Sequence, residues 1–167
     1  MNIVFLDSAS ANRGDLEWGP FERFGTLVRH DGTSPEQVSE RIQEADIVVV
    51  NKVRITAEHL AAAKRLKLIA EMATGYDNID LLAAQQRGIA VCNVPGYATE
   101  SVAQTTFALL LELTHHIGEY DRTVKEGEWT RSSAFSLWRE SLVGLAGKTL
   151  LVVGLGRIGH RVAEIAT

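Results

Sequence analysis

The chain has 167 residues, a formal net charge of −4 and 46% apolar residues. That length holds one full domain, or one small domain and part of a second, and the composition excludes a disordered chain. Basic residues scattered singly exclude the electrostatic footprint of a nucleic-acid or anionic-membrane binder, and the single cysteine, Cys92, excludes an internal disulfide and any Cys-rich metal motif.

The N-terminus reaches Asp7 too early for a signal peptide, and no apolar run approaches membrane-spanning length, so a cytoplasmic protein is expected. Short apolar runs then alternate with helix-patterned stretches. Residues 3–6, 26–28, 47–50, 66–70, 89–92 and 149–153 read as strands, most of them apolar on both faces, the pattern of a buried parallel sheet. Residues 35–45, 57–64 and 79–86 carry helical spacing, giving the β-α-β-α rhythm of a doubly wound α/β sheet. Asp77 or Asn78 is placed to cap the third helix, and Gly88 to end it in a left-handed conformation. Cys92 takes the default role of a small buried hydrophobe. Residues 1–98 are expected to form one small domain.

From Thr99 the pattern changes. Val102 to Leu113 is apolar on nearly every face, so this long helix is expected to be buried, with a subunit interface as one place for it, and to run past Gly118 to Glu126 before Gly127 ends it. Residues 127–147 hold Trp129, Phe135 and Trp138 among serines and charges, a wrapping connection that the aromatics would pin down. The run 149–153 demands a strand on each side, yet only about two to three turns of helix follow it. The expectation is a piece of a longer protein, or one whose strand neighbours come from another chain.

Gly154-Leu155-Gly156-Arg157-Ile158-Gly159 has G-x-G-x-x-G spacing between a strand and a helix start. The first glycine permits a tight turn, the second lets backbone approach a pyrophosphate, and the third allows close packing of the helix. Helix-start N–H groups favour the phosphate oxygens, and Arg157 adds a mobile cation. The bland alternative is a glycine-rich turn that binds nothing. The acid that would hold the ribose hydroxyls falls ~20 residues on, beyond Thr167, so NAD and NADP are not distinguished by these residues.

Parallel strands direct ligands to the loops at their carboxyl ends. Asn51-Lys52-Val53-Arg54 and Ala73-Thr74-Gly75-Tyr76-Asp77 are two such loops. Gly75 lets backbone approach a ligand, consecutive N–H groups can hold a carboxylate, and Lys52 and Arg54 favour an anion. Equally, Gly75 shapes a turn, Asp77 caps a helix and both cations are solvated. The five histidines, His30, His59, His115, His116 and His160, show no motif partner and read as solvated positions; Glu112 reads as an interface or helix-edge acid. No metal pattern, nucleophile triad spacing or Lys-Ser/Thr phosphate loop is present.

Three further segments act together: Ala73-Thr74-Gly75-Tyr76-Asp77-Asn78-Ile79-Asp80, Asn93-Val94-Pro95-Gly96-Tyr97-Ala98-Thr99-Glu100-Ser101-Val102-Ala103-Gln104, and Leu145-Ala146-Gly147-Lys148-Thr149 leading into the glycine turn. In this order the chain resembles the D-isomer-specific 2-hydroxyacid dehydrogenases along its whole length. With Asn51-Lys52-Val53 included, it is most similar to the glycerate dehydrogenase or hydroxypyruvate reductase branch. The resemblance implies a flavodoxin-like substrate domain over 1–98, followed over 99–167 by the beginning of a Rossmann NAD(P)-binding domain, truncated. It implies hydride exchange between a nicotinamide cofactor, NAD favoured over NADP, and a small 2-keto or 2-hydroxy acid. Lys52, Val53, Thr74, Gly75 and Tyr76 would then line the substrate side, with main-chain N–H groups on its carboxylate. Val102 and Thr106 would approach the nicotinamide, and Gly154, Gly156, Arg157, Ile158 and Gly159 the pyrophosphate. The helix from Ser101 would pair two copies as a homodimer. Gln104 departs from the family, which often has Glu there. The family's catalytic Arg, acid and His fall downstream of Thr167, so the chain alone is expected to be inactive. A dinucleotide-binding sensor or corepressor on the same scaffold, and a remnant that binds no nucleotide, are the competing readings.

Overall fold

A computed structural model describes residues 1–167, and the chain divides into two compact units, Met1–Pro95 and Gly96–Thr167. The boundary falls three residues before the expected one.

In the first unit the apolar runs pair as five parallel strands: β1 (Asn2–Phe5), β2 (Thr26–Arg29), β3 (Ile47–Val50), β4 (Leu68–Glu71) and β5 (Ala90–Cys92). Their order is β2-β1-β3-β4-β5, and β3 is in register with both neighbours, Val49 opposite Phe5 and Ala70. Side chains alternate across a strand, so each central strand feeds two cores. On one face Val4, Leu6, Val48, Val50 and Ile69 pack with Val38, Ile42, Leu60 and Ala84. Those last four come from α2 (Pro35–Ile42), α3 (Ala57–Ala62) and α4 (Leu81–Gln86). On the other face Ile3, Phe5 and Val49 meet Trp18 and Phe21, beside and within the one-turn α1 (Gly19–Glu22). The Trp18 ring stands edge-on to Phe5 at 5.7 Å, and the Arg29 guanidinium lies 4.7 Å from the Trp18 ring.

Local signals set the helix starts. Ser34 and Gln37 form a capping box ahead of α2, with Pro35 at its first turn. Thr56 caps α3, with His59 in the reciprocal role. The cap of α4 is Asp80, whose carboxylate accepts from Ala83 N–H at 3.0 Å, and not Asp77 or Asn78. Asp80 directly precedes the apolar Leu81-Leu82, and that is where the first orphan amides lie. Gly88 ends the helix at φ +68° as expected. Cys92 is exposed rather than buried, because β5 is an edge strand.

The second unit differs from expectation in four respects. Helix α5 (Thr99–His115) stops at His116, which takes left-handed angles (φ 50°, ψ 43°), and α6 (Ile117–Lys125) starts anew. The Glu112 carboxylate accepts the Gly118 N–H at 3.1 Å, satisfying an amide that a fresh helix start orphans. Gly127 then ends α6 at φ +75°, before the short α7 (Glu128–Arg131). Only Ala103 of α5 is buried, and Leu113 is 75% exposed, so the apolar helix is not covered within this chain. Phe135 and Trp138, 95% and 85% exposed, pin nothing. The connection is held by the Trp129 indole N–H, which donates to Phe135 C=O at 3.0 Å, by the Tyr120 hydroxyl, which accepts from Arg139 N–H at 3.0 Å, and by an Arg139–Glu128 ion pair. Residues 149–153 form no strand, because no ladder partner lies beside them, and the chain next becomes regular at α8 (Arg157–Ile165). No helix is long and apolar enough to cross a membrane.

Ile69, fully buried on β4, is surrounded by side chains too constrained by the sheet to collapse onto a void. Ile69→Ala is expected to cost about 2–5 kcal/mol in urea unfolding, read by a probe in the first unit.

Candidate functional site

The carboxyl ends of β1, β3 and β4 carry the polar residues of the first unit. Asp7 follows β1 and is buried, and its carboxylate accepts three consecutive backbone N–H groups: Asn51 at 3.0 Å, Lys52 at 2.6 Å and Val53 at 3.2 Å. Asn51 adds a side-chain hydrogen bond to the Ser10 hydroxyl at 3.0 Å. In a 2-1-3-4-5 sheet the crevice between β1 and β3 is the topological switch point, the usual ligand entry. Here a protein carboxylate fills its N–H donors. The main-chain N–H groups of Lys52 and Val53 are therefore committed within the fold, and Lys52 offers its exposed side chain instead.

One strand over, the loop after β4 is built the other way. It is anchored through carbonyls: Ala73 C=O accepts from Val94 N–H at 3.0 Å, and Thr74 C=O from Asn93 Nδ2 at 2.8 Å. Thr74 Oγ1 donates to Val94 C=O at 3.0 Å. The N–H groups of Thr74, Gly75 and Tyr76 donate to no acceptor in the chain. Gly75 does not have positive φ, and a Cβ there would meet only Asp77 Oδ1, at 3.4 Å, so the glycine keeps an approach open rather than relieving strain. Consecutive N–H groups without an acceptor are the donor set that an anion requires. Arg54 stands apart from it, in a hollow of about 170 Å³ that it shares with Thr56, Asp77, Asn78 and Asp80.

Glu71 and Asn78 belong to this region; the sequence did not mark Glu71, and it offered Asn78 only as a helix cap. Glu71 ends β4, is 1% exposed, and its Oε2 accepts from Asn78 Nδ2 at 2.9 Å while Oε1 has no partner. The same Asn78 nitrogen donates to Val53 C=O at 3.1 Å. Burial pushes the Glu71 carboxyl above the ordinary glutamate range. The Asn78 hydrogen bond and the Lys52 charge oppose that shift, whereas Asp7 and Asp77 add to it. A lone acid inside the apolar run 68–72 was the available signal.

In the second unit Gly154 has φ +92° and Gly156 is the N-cap of α8. A Cβ on Gly159 would sit 2.0 Å from the Gly154 carbonyl oxygen, so the third glycine is required by the turn itself. The first amides of α8, including those of Arg157 and Ile158, face away from any intrahelical acceptor. Arg157 is exposed and forms no ion pair, and its guanidinium lies beside Gly96. Arg161 of α8 pairs with Glu100 of α5 at 2.9 Å. Val102 and Thr106 lie one turn apart on α5, both exposed, with the Thr106 hydroxyl donating back to Val102 C=O at 2.9 Å. The predicted residues thus form two groups: Lys52, Val53, Thr74, Gly75 and Tyr76 at neighbouring strand ends of the first unit, and Val102, Thr106 and the glycine turn on α5 and α8 of the second.

Comparison with known proteins follows this geometry. The family model for the catalytic domain of D-isomer specific 2-hydroxyacid dehydrogenases matches residues 4–163. A hydroxypyruvate reductase from Blautia hydrogenotrophica is 39% identical over 169 residues, covering 99% of this chain and 52% of that protein. A crystal structure of D-lactate dehydrogenase from Aquifex aeolicus, complexed with NAD and lactic acid, superposes with a TM-score of 0.71 at 32% identity, over 99% of this chain and 48% of that one. The NADPH-dependent glyoxylate/hydroxypyruvate reductase of Sinorhizobium meliloti, complexed with NADP and malonate, gives a TM-score of 0.69 at 26% identity, over 98% and 49%. The chain spans about half the length of the curated relatives it matches.

The raised Glu71 carboxyl has a defined sign in stability. A carboxyl that binds its proton more tightly folded than unfolded contributes fully below the ordinary glutamate value, about 4.3, and that contribution is lost as pH rises through the raised value. Thermal unfolding of wild type and Glu71→Gln across this range is expected to show wild type losing stability relative to the variant as pH rises. A constant difference between the two would contradict the assignment.

Proposed function

Because the chain belongs to the D-isomer specific 2-hydroxyacid dehydrogenase family, we propose that its parent protein transfers a hydride between a nicotinamide cofactor and a small 2-keto or 2-hydroxy acid of the hydroxypyruvate, glycerate or glyoxylate type. The observation that carries this reading is the row of unpaired N–H groups at Thr74, Gly75 and Tyr76 beside the Lys52 side chain. A substrate carboxylate fits it, receiving hydrogen bonds along one edge and the lysine charge nearby. Val53 closes the site on its apolar side. The malonate and lactic acid held by the two solved relatives are small acids of the same kind.

The glycine turn fits a dinucleotide. Gly154, Gly156 and Gly159 bring backbone close to a pyrophosphate, the amides of Arg157 and Ile158 point at its oxygens, and Val102 and Thr106 of α5 face the nicotinamide. NAD or NADP serves, and the solved relatives hold one or the other. When bound, the cofactor supplies the hydride, and the protein's part is to orient the acid and manage a proton. That proton needs a donor with a pKa near neutrality at the reacting oxygen. No histidine in the chain forms an ion pair, and His59 is engaged at the α3 cap. His30 is held below its usual range by burial and by Arg41. On this reading the chain binds and orients the acid, and the family's acid–base group is not among its residues. The first unit takes the substrate and the second the cofactor, in a cytosolic protein that pairs through the helix from Ser101, whose Leu109 and Leu113 are exposed.

Two measurements test this. NADH fluorescence titration of the 167-residue chain is expected to show binding that Gly159→Ala weakens by at least about tenfold, since the new methyl would displace the Gly154 carbonyl. Equal affinity for both proteins would refute the cofactor assignment. In an NADH-oxidation assay with hydroxypyruvate or glyoxylate the chain alone is expected to show no turnover, and ordinary turnover would refute the missing proton donor.

A further inference from the structure

Glu71 presents a physical puzzle that the proposed function does not use. An acid at the end of an apolar strand, 1% exposed, with one oxygen unpaired, is a poor choice for packing, because a leucine or methionine would fill the space without desolvating a charge. Its effect lies in what it does to Asn78. A carboxylate only accepts hydrogen bonds, so it forces Asn78 to turn its NH2 group inward rather than its oxygen. The inward nitrogen reaches both Glu71 Oε2 and Val53 C=O, at 2.9 and 3.1 Å. The Asn78 backbone carbonyl receives Ile55 N–H at 2.8 Å, and Ile55 C=O receives Asp80 N–H at 2.9 Å. One asparagine thus laces the loop that carries Lys52 to the loop that carries Gly75.

We propose that Glu71 is a positioning residue for the 2-keto-acid site: acting through Asn78, it sets the spacing between the Lys52 side chain and the N–H groups of Thr74, Gly75 and Tyr76, without touching the ligand. This rests on the reading of that cradle as the substrate-carboxylate site. Two effects of Glu71→Gln then have opposite signs. Removing a buried charge near Lys52 would by itself tighten anion binding and leave the fold no less stable, whereas freeing Asn78 to flip would loosen the cradle. Positioning predicts that the second effect governs affinity.

The test uses oxalate as the probe, with binding measured by calorimetry and located by the ¹⁵N–¹H shift of Gly75. Glu71→Gln is expected to weaken oxalate by about tenfold, the change that one hydrogen bond of ordinary net strength carries, while its unfolding temperature at neutral pH is not lowered. Asn78→Ala is expected to weaken oxalate similarly, and the double variant no further than Asn78→Ala alone, as for two residues acting in series. Unchanged or tighter binding by Glu71→Gln, or losses that multiply in the double variant, would overturn the proposal. A ligand-free arm separates this proposal from the site reading. Ile55 amide exchange, which reports the bond to Asn78, is expected to quicken in Glu71→Gln. Quickened exchange without any oxalate binding by wild type would mean that the two loops are laced as described but the cradle is not a carboxylate site. Unchanged exchange would overturn the lacing itself.

Discussion

The carboxylate of Asp7 is the contact on which the geometry of the first unit depends. It ends β1, the first strand of the chain, and takes three successive amides from the loop that ends β3, residues 44 to 46 positions away. A second carboxylate works at the opposite edge of the same pair of strands. Asp46, at the start of β3, accepts Asn2 N–H at 2.8 Å and is flanked by Arg65 at 3.2 Å; the Asn2 hydrogen bond above all, with Arg65, holds its carboxyl below the usual range. Strands β1 and β3 are therefore gripped at both ends by acids that see only hydrogen-bond donors. Glu71 on β4 is the exception, an acid with an incomplete set of partners, and it lies where the ligand-facing loops meet.

Asp7 fills the switch-point donors, so the N–H groups left without an acceptor lie one strand over, after β4. In the proposed site the loop after β3 would contribute charge through Lys52 and shape through Val53, and the loop after β4 the hydrogen-bond donors. That division of labour has a practical virtue. The donors of Thr74 to Tyr76 are backbone groups held by carbonyl contacts to the loop after β5, so they need no side-chain ordering when an anion arrives.

What could be read from the sequence follows the range over which each feature is decided. The strand 47–50, the start of α2 at Pro35 and the left-handed Gly88 rest on neighbouring residues and were legible. So was the glycine turn, whose spacing encodes a contact between Gly159 and Gly154 five residues apart. The break at His116 was not, because Glu112 can favour a new helix start only by reaching Gly118, while the apolar pattern runs on without interruption. Asp7 and Glu71 stood in plain view as acids at the ends of apolar runs. Their roles were hidden because the partners that make Asp7 a loop anchor are far away in sequence, and because Asn78 reads equally well as a helix cap.

The run 149–153 illustrates what an unpaired strand sequence entails. Thr-Leu-Leu-Val-Val is uncharged, rich in β-branched and leucine side chains, and here pairs with no strand, with Leu151 82% and Val153 90% exposed. Such a segment satisfies its amides and carbonyls most readily against an identical copy of itself. For the chain as it stands, these five residues are an open edge at which self-pairing would compete with solubility at high concentration, independently of the stability of the five-stranded core.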